Sequence, residues 1–367
     1  MDYLQQRSWR LPHAAVLSCL IAVAGLSAPM RAQPGRAMYA DRARQRLSAN
    51  PAWPVHTPAR PITVLVDEST HRVFVLAQEY QQGSYPNPKG AGSVSTFDAA
   101  TGALVRTTRV GVGVVQMALD VTAQRLYVLN QGPLDGDGFA TQQGSVSVLD
   151  AATGALVGAT LIGVGADALA VDERHGRVFA LTDDPGATNG QSSGDTSVLD
   201  ARTAALVRTL PGVSGTALAV SARTGRLFVA SGLSCPPARS STDRQHLGCL
   251  EIFDARTGRS LSTRQLTERV GRRAMAADEL AGYVVAMQEG SRDGQDPDQY
   301  VSHATLFDET TGAILRRTVT SGNRETDAFA LSVTAGRAVV LNGPDPYDVQ
   351  MNFHLSVTKI RGEGHGR

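Results

Sequence analysis

Short runs of apolar residues broken by turn signals follow one another along most of this chain. Val73-Phe74-Val75, Leu126-Tyr127-Val128 and Leu227-Phe228-Val229 are rich in β-branched and aromatic residues, and each is preceded by Asp, Gly or Arg in a turn-like context. Such runs predict strands. Around Val94 and Thr96, and around Val146 and Val148, apolar and polar residues alternate, which predicts strands with one face buried and one exposed.

The runs recur at a fixed beat. Ser93-Val94-Ser95-Thr96-Phe97-Asp98-Ala99-Ala100-Thr101-Gly102-Ala103-Leu104-Val105 returns as Ser145-Val146-Ser147-Val148-Leu149-Asp150-Ala151-Ala152-Thr153-Gly154-Ala155-Leu156-Val157. It returns again at Asp200-Ala201-Arg202-Thr203, Asp254-Ala255-Arg256-Thr257-Gly258 and Asp308-Glu309-Thr310-Thr311-Gly312. Successive aspartates, from Asp98 through Asp308, lie 52, 50, 54 and 54 residues apart. A second motif keeps time with it: Asp67 before Arg72, Asp120 before Arg125, Asp172 before Arg177, Val220 before Arg226, Asp278 before Tyr283 and Val333 before Arg337. Each unit therefore offers four strands, in the second unit near residues 115–120, 125–130, 145–150 and 155–161. Aspartate bonds its own backbone and glycine accepts positive φ, so both motifs read as turns. A four-stranded sheet cannot bury both faces alone, and repeated sheets solve this by stacking around an axis. The expected fold is all-β, a six-bladed β-propeller over residues 62–361; a seventh blade would need another repeat of about the same length, and none is visible.

Arg125-Leu126-Tyr127-Val128-Leu129-Asn130 and Thr101-Gly102-Ala103-Leu104-Val105-Arg106-Thr107, followed by Val110-Gly111-Val112-Gly113, resemble the YVTN family of β-propeller repeats, within the wider WD40/YVTN-like repeat class. The resemblance covers roughly residues 62–360 and implies an exported bacterial protein of the surface-layer-associated type, or a subunit of an exported enzyme. The third unit departs from the pattern with Ala204 in place of the turn glycine, and the sixth has Thr358-Lys359 where Asp-Ala would stand. The sixth unit also supplies only three strands, and Trp53-Pro54-Val55-His56-Thr57 is a candidate for the missing outermost one, where prolines are tolerated at an edge.

The N-terminal residues differ from the repeats. Arg7 and Arg10 precede an apolar run from Ala14 to Leu26, the order of a secretory signal over residues 1–30. As a helix that run rises about 20 Å, short of the roughly 30 Å hydrocarbon core, so no transmembrane span is expected in the mature chain. Residues 31–61 read as an arginine- and proline-containing linker, and 362–367 as a flexible tail. The expected location is thus exported: periplasm, cell surface or extracellular. With 35 basic and 34 acidic residues the chain has a net charge of +1, which argues against a nucleic-acid footprint. The 37 glycines are too many for an average domain and show no collagen period, in keeping with repeated turns.

Candidate chemistry is sparse. The connection between second and third strands is long in every unit, and propeller connectivity gathers all six on one face, a usual place for a binding surface. Cys235 and Cys249 share one of these loops, and the only other cysteine is Cys19 in the signal. They are expected to form a disulfide; metal binding by the pair with His246 is the alternative. Acidic clusters, Asp293, Asp296 and Asp298 among them, suit calcium by residue type but lack the bidentate Glu of the twelve-residue loop. His303 and His354 start equivalent strands, too far from the axis to share a metal. Aligning the repeats puts Ile62, Val115, Asp167, Thr216, Arg273 and Phe329 at the channel-proximal start of the innermost strands, with Asp327 close in register. Asp167, Thr216, Arg273 and Asp327 are therefore the candidate binding residues at the channel entrance. One or two carboxylates beside a cation do not make the calcium cage of six-bladed lactonases. The expected function is a non-catalytic, monomeric scaffold that binds a protein or cell-envelope component through its long-loop face, without a cofactor. A lactonase- or lyase-like enzyme is the alternative.

Overall fold

The computed structural model describes residues 60–78, 90–135, 140–182, 194–231, 248–279, 281–292, 300–320, 326–332, 337–342 and 354–359; the leader, the 53–57 segment, Cys235 and Asp293, Asp296 and Asp298 lie outside them. Those residues form 23 strands and no helix. The first sheet is β1 (Arg60–Asp67), β2 (Arg72–Gln78), β3 (Ala91–Asp98) and β4 (Leu104–Val112). The second is β5 (Val114–Asp120), β6 (Arg125–Asn130), β7 (Gln143–Asp150) and β8 (Leu156–Val164). The third is β9 (Ala166–Asp172), β10 (Arg177–Thr182), β11 (Asp195–Asp200) and β12 (Leu206–Pro211). The fourth is β13 (Ala217–Ser221), β14 (Arg226–Ser231), β15 (Cys249–Asp254) and β16 (Ser260–Gln265). The fifth is β17 (Val270–Asp278), β18 (Tyr283–Arg292), β19 (Tyr300–Asp308) and β20 (Ile314–Thr320). Each is an antiparallel meander in sequence order, and β21 (Thr326–Ser332), β22 (Arg337–Asn342) and β23 (His354–Lys359) make a three-stranded sheet of the same kind. The first strands pack in series, β1 on β5, β5 on β9, β9 on β13, β13 on β17 and β17 on β21. This is β-propeller architecture.

The core lies between sheets rather than within one. Leu126 and Val128 of β6 pack with Phe74 and Leu76 of the first sheet, while Tyr127 and Leu129 pack with Val178 and Ala180 of the third. Phe179 and Leu181 then turn to Leu227 and Val229 of the fourth, and Phe228 and Ala230 to Val284 and Ala286 of the fifth. The side-chain period of two deals alternate residues to opposite neighbours. This corrects the expectation of half-buried strands. In β3 the polar Ser93, Ser95 and Thr96 are buried along with Val94, because both faces are covered. Exposure is concentrated on the outermost strands, above all β16, where every residue is exposed.

The Asp-Ala-x-Thr-Gly turn serves two purposes. In the first unit Asp98 Oδ1 accepts from the Thr101 amide (2.9 Å) and hydroxyl (2.8 Å), and the Gly102 amide donates to the Asp98 carbonyl (2.8 Å). The same bonds recur at Asp150, Asp200, Asp254 and Asp308. The threonine hydroxyl is the largest influence holding the Asp98, Asp254 and Asp308 carboxyls below the usual carboxylate range. The turns of the second to fifth units are also gripped by the preceding sheet. Thr108 Oγ1 donates to the Gly154 carbonyl (2.6 Å), Thr160 Oγ1 to Ala204 (2.6 Å), Arg208 to Ala255 (2.9 Å) and Arg264 to Gly312 (2.8 Å). Ala204 adopts φ +61°, the conformation of Gly102, Gly154, Gly258 and Gly312, so the third turn keeps its shape despite the substitution. A left-handed alanine costs about 1–2 kcal/mol, offset in part by its methyl, buried between the second and third sheets.

One loop is shorter than the repeat suggests. Strands β18 and β19 continue past a bulge between Gln288 and Ser291 to pair Ser291 with Val301 and Arg292 with Tyr300. Backbone pairing thus takes over the flanks of a segment that reads as loop from Gln288 to Ser302.

Candidate functional site at the channel mouth

Except for the regular β13, the first strands of the units enter the channel with an irregularity. The register of β1 slips between Pro61 and Thr63, of β5 between Val114 and Gln116, of β9 between Ala166 and Ala168, and of β21 between Thr326 and Ala328. Ile62, Val115, Asp167 and Asp327 are therefore the extra residues of equivalent bulges, a device that re-aims a side chain. In the sixth unit the bulge falls at Asp327, two residues before the Phe329 that repeat alignment selects; the side chain of Asp327 is outside the described residues. The largest slip is in β17, between Val270 and Met275, and it carries Arg272 and Arg273.

These irregular segments meet. Asp167 is fully buried, and both of its carboxylate oxygens accept from arginine: Arg272 Nη2 and Nε reach Oδ2 at 2.9 and 3.3 Å, and Arg273 Nη2 reaches Oδ1 at 3.3 Å. Arg273 Nε also donates to the Asp167 carbonyl (2.8 Å), and the Arg273 amide donates to the Thr216 carbonyl (2.9 Å). Thr216 in turn donates its amide to Ala230 (2.8 Å). Asp167, Thr216 and Arg273, expected at the mouth from the repeat, are thus joined directly, with Thr216 contributing its backbone. Arg272 was not expected there. Its signal is legible in hindsight as two adjacent cations where each other unit carries at most one charged residue.

Arg273 sits at φ +60°, unusual for a residue with a Cβ and stable only where surroundings hold it. Burial lowers its guanidinium from the usual arginine range, the nearby Arg272 charge adds to this, and Asp167 opposes it. Asp167 thus holds two guanidiniums at once. The Arg272 side chain is 59% exposed. Among the described residues the mouth offers a divalent cation only Asp167, a carboxylate that already accepts from two cations.

A side-chain amide seals the ring one step deeper. Gln116 Nε2 donates to the Leu169 carbonyl (3.3 Å) and its Oε1 accepts from the Leu169 amide (2.8 Å), bridging the unpaired edges of β5 and β9. Towards the rim, Glu268 accepts from His303 Nδ1 (2.9 Å) and pairs with Arg317, anchoring the segment that leads into β17. That engagement accounts for His303, and among the described residues no group of three metal-ligating side chains occurs.

At the other end of the channel a cavity of about 710 Å³ is walled by the second halves of β5, β9, β13 and β17, from Ala118 and Leu169 to Leu218 and Met275. It opens among the short turns rather than among the long loops. Glu173, Arg174 and Glu279 stand at its rim.

No family model matches the chain, and no curated protein matches it. Among solved structures it is similar to the hydrazine synthase of Kuenenia stuttgartiensis at 14% identity, over 79% of this chain and 80% of that one, with a TM-score of 0.53. BamB from Moraxella catarrhalis matches over 81% of this chain and 84% of its own at 15% identity, with a TM-score of 0.39. At these identities the first likeness establishes the fold alone: this chain is a β-propeller.

Proposed function

We propose that the protein is an exported, monomeric six-bladed propeller of YVTN type that acts as a binding scaffold. It engages an anionic group of a protein or cell-envelope partner on its long-loop face. The observation that carries this reading is the channel mouth: a buried Asp167 fixes two arginines, and the Arg272 side chain is largely exposed. Preorganised guanidinium suits bidentate recognition of carboxylate or phosphate. The secretory-type leader motivates export, and residues 53–57 are the proposed closing strand of the sixth blade. The enzymatic alternative draws less support, because the carboxylate that would hold a cation or a proton is already held by two arginines.

The Cys235–Cys249 disulfide belongs to the same reading. Cys249 is fully buried at the start of β15 and disulfide-bonded, and Cys235 is the one other cysteine beyond the leader. Peptide mapping without reductant should yield one cross-linked pair, and a free thiol at Cys235 would refute the pairing.

The scaffold function is tested by retention of a partner from envelope extract on immobilised protein. Arg272→Glu should abolish retention, whereas Leu261→Glu, on the exposed outer strand β16, should leave it unchanged. Equal retention by both variants would overturn the proposal.

A further inference from the structure

We propose that the cavity on the short-turn face is a binding site for a small organic cation with an apolar body. Its volume, about 710 Å³, lies within the range of small-molecule sites, roughly 300–1,000 Å³. Alanines at 118, 170, 219 and 276 keep the space open, while Leu169 and Met275 supply apolar wall.

The mouth sets the charge of the ligand. The residue after the last residue of each first strand reads Glu68, Val121, Glu173, Ala222, Glu279 and Val333, so alternate units place a carboxylate there. Glu173 and Glu279 line the cavity directly. Behind them the first strands end in the buried Asp67, Asp120, Asp172 and Asp278. Each accepts a turn amide, from Ser69, Ala123, His175 and Ala281 respectively, so these carboxylates are held in place. Among the described lining residues Arg174 is the one cation, outnumbered by the two glutamates. An amine head at the glutamates with its hydrocarbon in the cavity satisfies both halves.

The test uses 4-phenylbutylamine, with 4-phenylbutanol and 4-phenylbutanoate as neutral and anionic counterparts, titrated into the full chain by calorimetry. The amine should bind at least tenfold more tightly than the alcohol, and the carboxylate should not bind. Glu173→Gln/Glu279→Gln keeps the acceptor oxygens that take Thr122 Oγ1 and the Ala222 amide. It should erase the preference of amine over alcohol. Ala276→Phe, which fills the cavity, should abolish amine binding with the melting temperature little changed. Equal affinity for amine and alcohol in the wild type, or amine binding unaffected in the glutamine variant, would overturn the proposal. Arg272→Glu should leave amine binding intact, which separates this site from the partner-binding face.

Discussion

The two ends of the channel are built from the same first strands yet hold their charged groups by opposite means. At the long-loop end the strands are irregular, and bulges bring one aspartate and two arginines from separate units together. At the short-turn end the strands are regular, and each strand-end aspartate accepts an amide from its own turn. The first arrangement exists once and depends on the ring. The second is repeated, and each copy is local. Irregularity is where a repeat protein departs from its own average, and here it coincides with the unique chemistry.

The sharpest way to break this contrast is Asp167→Ala. It leaves two guanidiniums facing each other without their buried partner, at a cost of about 3 kcal/mol, read as a lower urea midpoint. The figure is at the low end for a buried pair because Arg272 is largely exposed. Asp167→Asn should lose clearly less, since the amide oxygen still accepts.

Next in size, Gly154→Ala should cost about 2 kcal/mol. Its φ is +68°, and a Cβ would lie 2.4 Å from Thr96 Oγ1 of the neighbouring sheet. Gly176→Ala, at φ +61° with nothing within 4 Å, isolates the backbone term and should cost about 1 kcal/mol. Equal losses would show that the turn is not packed against its neighbour.

Acid should dismantle the short-turn end first. The turn carboxyls at Asp98, Asp150, Asp200, Asp254 and Asp308, and that of Asp67, titrate below their ordinary value of 3.8. A depressed pKa means that the unfolded chain binds the proton more tightly, so this stability is present above pH 3.8 and lost as pH falls below it. Urea midpoints should therefore be flat near pH 5 and drop steeply below pH 4. A variant with Asp→Asn in these turns should show a shallower drop.

The smallest effect is Arg272→Ala. Its side chain is exposed and Arg273 still serves Asp167, so the melting curve should shift by less than about 1 kcal/mol. A larger loss would make Arg272 a structural strut and not a presented charge.

Much of this was legible without coordinates, for a physical reason. A turn such as Asp98 to Gly102 is specified by residues within five positions of one another, and a strand such as Arg125–Asn130 by its own run of apolar side chains. Repetition at a period near fifty residues then implies stacking, because no single sheet covers both of its faces. The amino-acid sequence alone thus determined the strands, their turns and the propeller architecture, and it placed Asp167, Thr216 and Arg273 at one end of the channel. It misjudged burial, since alternation within β3 separates two neighbouring sheets rather than core from solvent. Tertiary structure decided what no local string encodes. The Asp167–Arg272 contact spans 105 residues and crosses the ring past β13, and it rests on bulges whose extra residues shift the register that repeat alignment assumes. The acidic cavity is likewise a property of four strands closing around a space, visible only once each is set beside its neighbours.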